Sequence, residues 1–292
     1  MRVADYPSLN IPAGGFCSST LGPGECHGRD GWQSRAFALS AIVMQDAQSP
    51  PIAPQGLTLS KVCVTLQGRS VLQDISLRLD EARIGIIGRN GSGKTTLLRL
   101  MAGLILPSAG KVQVAGLDPA RDRKAILRKL GILFQNPDHQ ILFPTVIEEL
   151  TFGLRQLGLT EAEAQSCADE ALSSEGRSHW RDVPCHHLSQ GQRHYLCLMA
   201  VLLMEPETIL LDEPFAGLDL PTQARLARRF AALPQRLVTI SHDPAAVRCC
   251  QRVIWLEAGR VRGDGTANQV LPAFEVEMAQ IGVADADTDL AR

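Results

Sequence analysis

Gly88-Arg89-Asn90-Gly91-Ser92-Gly93-Lys94-Thr95 is a complete G-x-x-x-x-G-K-[ST] phosphate loop. It is preceded by Ala82-Arg83-Ile84-Gly85-Ile86-Ile87, an apolar stretch with the character of a buried parallel strand. It is followed by Thr96-Leu97-Leu98-Arg99-Leu100-Met101-Ala102, a helical pattern that Gly103 closes. Glycines let backbone N–H groups turn inward on a polyphosphate, and the helix N-terminus adds a favourable dipole. Lys94 is placed to reach the β/γ-phosphates, and Thr95 offers its hydroxyl to Mg²⁺. Strand, loop and helix in this order imply an α/β fold that binds a nucleoside triphosphate.

Working outward, 292 residues suffice for one large or two modest domains. A net charge of −2 argues against nucleic acid as the main partner. No apolar run reaches the length of about eighteen residues that a membrane span needs, so a membrane role must come through a partner. The eight cysteines are scattered without a C-x-x-C pair, which fits reduced thiols in a cytoplasmic protein. Cys185-His186-His187 reads as a surface loop near a helix start rather than a metal site.

Residues 1–54 are rich in Gly, Ser and Pro and end in Ser49-Pro50-Pro51-Ile52-Ala53-Pro54, a linker-like run. They read as a poorly ordered extension, with Met44 as a candidate true start that mass spectrometry of the native N-terminus would test. Residues 55–272 form the main domain, its core 55–145 and 205–272, with an inserted helical subdomain over about 146–204. Residues 273–292 are expected to be a tail. Leu57–Leu66 and 71–79 read as antiparallel strands around Gln67-Gly68-Arg69-Ser70. A last hairpin, 253–256 with 260–262, turns through Glu257-Ala258-Gly259.

A second chemical centre lies at Thr208-Ile209-Leu210-Leu211-Asp212-Glu213, an apolar strand ending in two carboxylates. Such a strand delivers both side chains to the C-terminal sheet edge, where ligands bind in α/β folds. Asp212 would hold Mg²⁺ and Glu213 would orient or deprotonate the attacking water. Farther up, Leu188-Ser189-Gln190-Gly191-Gln192 opens a helix with Ser189 as a fit N-cap, leaving the helix end free for an anion.

Taken together, these elements resemble the ATP-binding-cassette ATPases over about residues 56–270. Residues 88–95, extended by Thr96, resemble Walker A, and Gln135 after Phe134 resembles the Q-loop. Residues 188–192 resemble the LSGGQ signature, 210–213 Walker B, Ala216-Gly217-Leu218-Asp219 the D-loop, and His242 the switch histidine. The resemblance implies a phosphate-loop NTPase (RecA-like) core with an N-terminal antiparallel β subdomain and an inserted helical subdomain. It implies ATP and Mg²⁺ as ligands, the metal held by Thr95, Gln135 and Asp212, and catalysis by Glu213, His242 and Gln135. It also implies a second ATPase subunit, as homodimer or paired cassette. Ser189, Gly191 and Gln192 of one subunit, with Asp219, would then meet the ATP on the other's Gly88, Arg89, Asn90, Gly91, Ser92, Gly93, Lys94 and Thr95. Two departures stand out: Gln190 replaces the signature's first glycine, and Leu66 occupies the usual adenine-stacking position, offering apolar contact without an aromatic ring.

The span after Gln135, Asn136-Pro137-Asp138-His139-Gln140-Ile141-Leu142-Phe143-Pro144-Thr145-Val146-Ile147-Glu148-Glu149-Leu150-Thr151-Phe152-Gly153, is similar to energy-coupling-factor transporter ATPases. Within them it is most similar to the biotin-transporter branch, with cobalt and nickel relatives next. This implies an importer ATPase at the cytoplasmic face of the cell membrane. Its partners would be a transmembrane coupling subunit and a substrate-binding membrane subunit, with no nucleic acid. Ile141-Leu142-Phe143-Pro144 would receive a coupling helix. A non-transport cassette acting on nucleic acid or ribosomes is the alternative, and copurification distinguishes the two.

Overall fold

The computed structural model describes residues 56–283, so the expected extension at 1–54 and the candidate start at Met44 lie outside the described residues.

Alternating buried and exposed positions make β1 (Leu57–Leu66) and β2 (Arg69–Leu79) half-buried antiparallel partners. A further strand without a local sequence signal, β4 (Ala109–Val114), pairs antiparallel on the other side of β1. Its sequence opens Ala-Gly-Lys and carries only two buried side chains, Val112 and Val114, too few for a period-2 signal.

The second sheet has six strands. β3 (Arg83–Ile87), β5 (Leu130–Leu133), β6 (Thr208–Asp212), β7 (Arg236–Ser241) and β8 (Arg252–Glu257) run parallel in the order β5-β6-β7-β3-β8. β9 (Arg260–Gly265) closes the edge antiparallel to β8. β6 and β7 are buried at every position, as expected of parallel strands covered on both faces.

Helix α1 (Lys94–Met101) buries Leu97, Leu98, Leu100 and Met101 in one core that also takes in Ile84 and Ile86 of β3, Val238 and Ile240 of β7, and the inner faces of β1, β2 and β4. Full burial of each such side chain contributes roughly 1.5–3 kcal/mol, so this cluster anchors the start of α1, and with it the phosphate loop. The helix ends at Ala102, with Gly103 N–H donating to Leu100 O and Leu104 N–H to Arg99 O, a Schellman closure. The single turn α2 (Arg123–Ile126) precedes β5.

Between β5 and β6 lie α3 (Val146–Gln156), α4 (Glu161–Ser174) and α5 (Gln190–Leu203), the three longest helices of that stretch. Each starts with a capping box: Thr145 with Glu148, Thr160 with Glu163, Ser189 with Gln192. α5 has two allegiances. Leu196 and Met199 pack with Val146, Leu150 and Leu172, whereas Cys197, Leu198, Val201 and Leu202 pack under β5 and β6. The helical insertion thus shares α5 with the core instead of ending after it at 204. α6 (Leu220–Ala232) and the single turn α7 (Pro244–Val247) follow β6 and β7.

α8 (Ala267–Val283) runs through the start of the expected tail at 273. Phe274 is buried and meets the Trp255 ring edge-on at 5.4 Å, with Val270 and Leu271 in the same cluster. That apolar contact draws residues up to 274 into the domain, and the sequence alone hides it because Pro272 falls mid-helix.

Candidate active site

Register brings four strand ends to one edge. Ile87 pairs with Ser241, Ile240 with Asp212, and Leu211 with Leu133. The residues just beyond, Gly88 on β3, Glu213 on β6, His242 on β7 and the segment entering Gln135 on β5, therefore share the C-terminal edge of the parallel sheet, where an open α/β sheet binds its ligands.

The phosphate loop is shaped by close approach. A Cβ on Gly88 would stand 2.2 Å from Leu256 O and 2.6 Å from Ser92 Oγ, and Gly93 adopts φ 103°, so side chains are barred at both places. Lys94 Nζ donates to Gly88 O at 2.7 Å and Arg89 O at 2.9 Å, lying along the loop. Burial draws its pKa below the ordinary value, while the charges of Glu213, Asp212 and Glu257 resist. Thr95 is exposed at the start of α1, and Thr96 follows half-buried.

Asp212 is buried, and its carboxylate accepts no hydrogen bond among the described residues. Burial, then the neighbouring charge of Glu213, push its pKa up to about 6 against the pull of Lys94 and Arg99. Glu213 stands at φ 46°, a left-handed conformation uncommon for this residue type, fixed by its N–H donating to Ile240 O at 2.8 Å. Ser241 Oγ donates to Glu213 Oε2 at 2.8 Å, and His242 Nδ1 lies 2.8 Å from Glu213 Oε1. Both carboxylate oxygens are thereby positioned. Ser241 is a site residue the sequence reading did not single out. Its signal, the residue before His242 on the strand beside β6, appears only once strand order is known.

The segment carrying Gln135 is held by its neighbour: Gln140 accepts from Phe134 N–H at 3.0 Å and donates to Ile132 O at 3.2 Å. Farther along, the buried Glu149 carboxylate accepts from the N–H groups of Leu142 (2.9 Å) and Phe143 (3.0 Å), fastening that loop to α3. Arg193 of α5 pairs with Asp138 at 2.9 Å. Cys185, in the turn 185–187, is buried and its thiol is pushed up to about 11, mainly by burial, so it stays protonated.

Ser189 caps α5, accepting from Gln192 N–H, while Gln192 returns a bond from its Oε1 to Ser189 N–H. Asp219 caps α6 through Thr222 N–H at 3.1 Å. Ser189, Gly191 and Gln192 line a cavity whose walls include no residue of 88–96. Phosphate loop and signature thus do not line one cavity together. Leu66 closes β1 opposite Arg69 and is 43% exposed.

A family model described as ABC transporter matches residues 72–216. The biotin transport ATP-binding protein BioM of Rhodobacter capsulatus is 48% identical over 232 residues, covering 80% of this chain and 99% of that protein. The chain belongs to the ABC transporter family. BioM of Rhizobium etli is 36% identical to the cassette over 211 residues, 72% of this chain and 94% of the relative. Among solved structures, CbiO1 of Clostridium perfringens, part of the ABC transporter complex CbiONQ, matches with a TM-score of 0.64 at 30% identity, covering 75% of this chain and 92% of that one. The cassette is an ATP-binding ATPase with a phosphate-loop α/β core, an antiparallel β sheet and a helical region, as the motifs implied. The similarity to biotin-transporter ATPases expected from 134–153 is also what the relatives show. No helix among the described residues is long and apolar enough to cross a membrane.

Proposed function

We propose that the cassette is the ATP-hydrolysing subunit of an energy-coupling-factor importer, with biotin as cargo. The observation that carries this reading is the split of the ATP site. Lys94, Asp212, Glu213 and His242 gather at one sheet edge, while Ser189, Gly191 and Gln192 open a helix whose cavity includes no residue of 88–96. A triphosphate held by the first set needs the second set from another copy or a related cassette, so ATP binding favours the closed pair and hydrolysis reopens it.

Within the site, residues 88–96 cradle the phosphates through backbone N–H groups and Lys94. Glu213 accepts the proton of the attacking water or orients it, with Ser241 and His242 holding its two oxygens. Thr95, Asp212 and Gln135 would hold Mg²⁺, which neutralises phosphate charge when bound; the exposed Thr95 hydroxyl and the unpartnered Asp212 carboxylate fit such a hard cation. Asp219 meets the neighbouring cassette at the D-loop.

Coupling to a membrane subunit is assigned to 141–144. Leu142 is exposed, and Phe143 meets Phe152 at 5.0 Å, tilted, beside a cavity of about 200 Å³ lined by Ile141, Phe143, Pro144 and Cys185 together with Asp138, His186 and Arg193. Such a socket of mixed apolar and charged side chains would receive a short helix of a transmembrane coupling subunit, which a substrate-binding membrane subunit would join at the cytoplasmic face of the membrane. Co-expression with the membrane subunits of a biotin-type importer, followed by ATP-dependent uptake of labelled biotin, tests the reading. Uptake that disappears in Glu213→Gln supports it. Uptake of cobalt or nickel instead would change the cargo, and copurification with ribosomes or nucleic acid in place of membrane subunits would overturn the transport role.

A further inference from the structure

Arg193 stands one turn into α5, where side chains lean back toward the helix N-terminus. Its guanidinium follows that direction out of the helix: Nη1 donates to Leu188 O at 2.6 Å, the last carbonyl before the Ser189 cap. The N–H of the same peptide unit, that of Ser189, donates to Gln192 Oε1 at 2.7 Å. Both polar atoms of the Leu188–Ser189 peptide are thus held by side chains of the next turn. Because that unit is planar, the two bonds fix its orientation, and with it the direction in which Ser189 leaves the chain. On the other side, Leu188 is buried and its N–H donates to Cys185 O at 3.2 Å.

The same guanidinium faces a second segment. Its Nε lies 2.9 Å from Asp138 Oδ1, an ion pair in which Arg193 is 22% and Asp138 59% exposed. Asp138 belongs to the turn Pro137–His139, three residues beyond Gln135, and its N–H donates to Asn136 Oδ1 at 2.9 Å. One planar group therefore joins the turn after Gln135 to the peptide that leads into the signature. Arginine suits this junction because its rigid fork serves two partners in fixed directions. An ion pair with so exposed a carboxylate adds little to stability, so the contact is better suited to relaying position than to holding the fold. Asp138 and Arg193 also line the cavity of about 200 Å³ beside 141–144.

We propose that Arg193 is a positioning residue: it transmits the placement of the turn after Gln135 to the Leu188–Ser189 peptide, and so sets how Ser189 is offered to a paired cassette. A shift of that turn moves Asp138, Asp138 draws on the guanidinium, and the guanidinium turns the carbonyl of Leu188. Gln192 holds the peptide from within α5, whereas Arg193 ties it to another segment. The link from Asp138 to the peptide stands on contacts within one chain; only its consequence for pairing rests on the paired-cassette reading.

The link is read by hydrogen exchange of the 188–193 amides in the nucleotide-free full chain. Asp138→Asn should speed exchange at Ser189 by about threefold, and Arg193→Met, which keeps the apolar stem and removes the donors, should do at least as much. The double variant should match Arg193→Met alone, because both substitutions act through one contact. Arg155→Gln breaks an exposed pair with Glu161 elsewhere in the helical insertion and should leave that exchange unchanged. The consequence is read in the Glu213→Gln background as ATP-driven association in analytical ultracentrifugation. There Arg193→Met should weaken association about tenfold, with Tm and the separate chain's ATP affinity nearly unchanged. Arg193→Lys should restore part of the association, since an ammonium keeps the charge without the fork. If the Glu213→Gln chain does not associate at all, the paired-cassette reading fails and the exchange experiment still decides the link. Unchanged Ser189 exchange in Asp138→Asn, additive effects in the double variant, or a loss of association explained by a fallen Tm overturns the proposal.

Discussion

The sheet edge and the signature cavity treat charge in opposite ways. At the edge, carboxylates outnumber cations: Lys94 lies on loop carbonyls near Asp212 and Glu213, Ser241 and His242 hold Glu213, and the buried Asp212 carboxylate accepts no hydrogen bond among the described residues. At the cavity, four arginines share the wall with one acidic side chain, Glu175, which pairs with Arg229. The proposed paired clamp rests on these two sets lying apart in one chain.

The sharpest way to break the comparison is Glu213→Gln. It removes the base while keeping both hydrogen-bonding positions, so turnover should fall by about 10²–10⁴-fold with ATP still bound, measured by phosphate release and nucleotide titration. Near-normal turnover would detach Glu213 from catalysis.

Asp212→Asn tests the balance at the same edge from the side of stability. With its pKa up from 3.8 to about 6, the folded chain keeps this proton to higher pH than the unfolded chain does, so its contribution to stability falls as pH climbs through that window. The ionised, buried form costs about 3 kcal/mol above pH 7. Asn at this position should therefore raise Tm at pH 8 and leave it nearly unchanged at pH 3, read by calorimetry without nucleotide. An unchanged Tm at pH 8 would mean the carboxylate is solvated.

Lys94→Ala removes a charged donor from the phosphates, worth roughly 1.5–3 kcal/mol, so ATP should bind about ten to a hundred times more weakly in equilibrium titration. The smallest effect belongs to Leu66→Ala. A side chain 43% exposed at a strand end offers little apolar contact, and ATP affinity should change less than about threefold. A larger loss would make Leu66 a real base contact.

Much of this site is legible in the chain itself, because its chemistry rests on contiguous residues. Residues 88–95 declare a phosphate loop by spacing, and Asp212-Glu213 declare a strand end by following the three apolar residues 209–211. Ser241, Gln140 and Glu149 stayed hidden, since each acts through a partner that strand order or loop folding brings close. The strand β4 and the burial of Phe274 escaped for the same reason: neither has a local pattern, and both are stabilised by contacts with distant elements. The arginine cavity is a tertiary object altogether, joining 175–180, α5 and α6.

By itself, the sequence determined that the chain holds a triphosphate on a loop between strand and helix and belongs among the cassette ATPases, because phosphate chemistry constrains neighbouring residues. Only the tertiary structure decided that the signature residues share a cavity with Arg177 and the arginines of α6 and with none of the phosphate loop. Those facts depend on how α5 and α6 pack against the sheet, and packing is settled by contacts far apart in the chain.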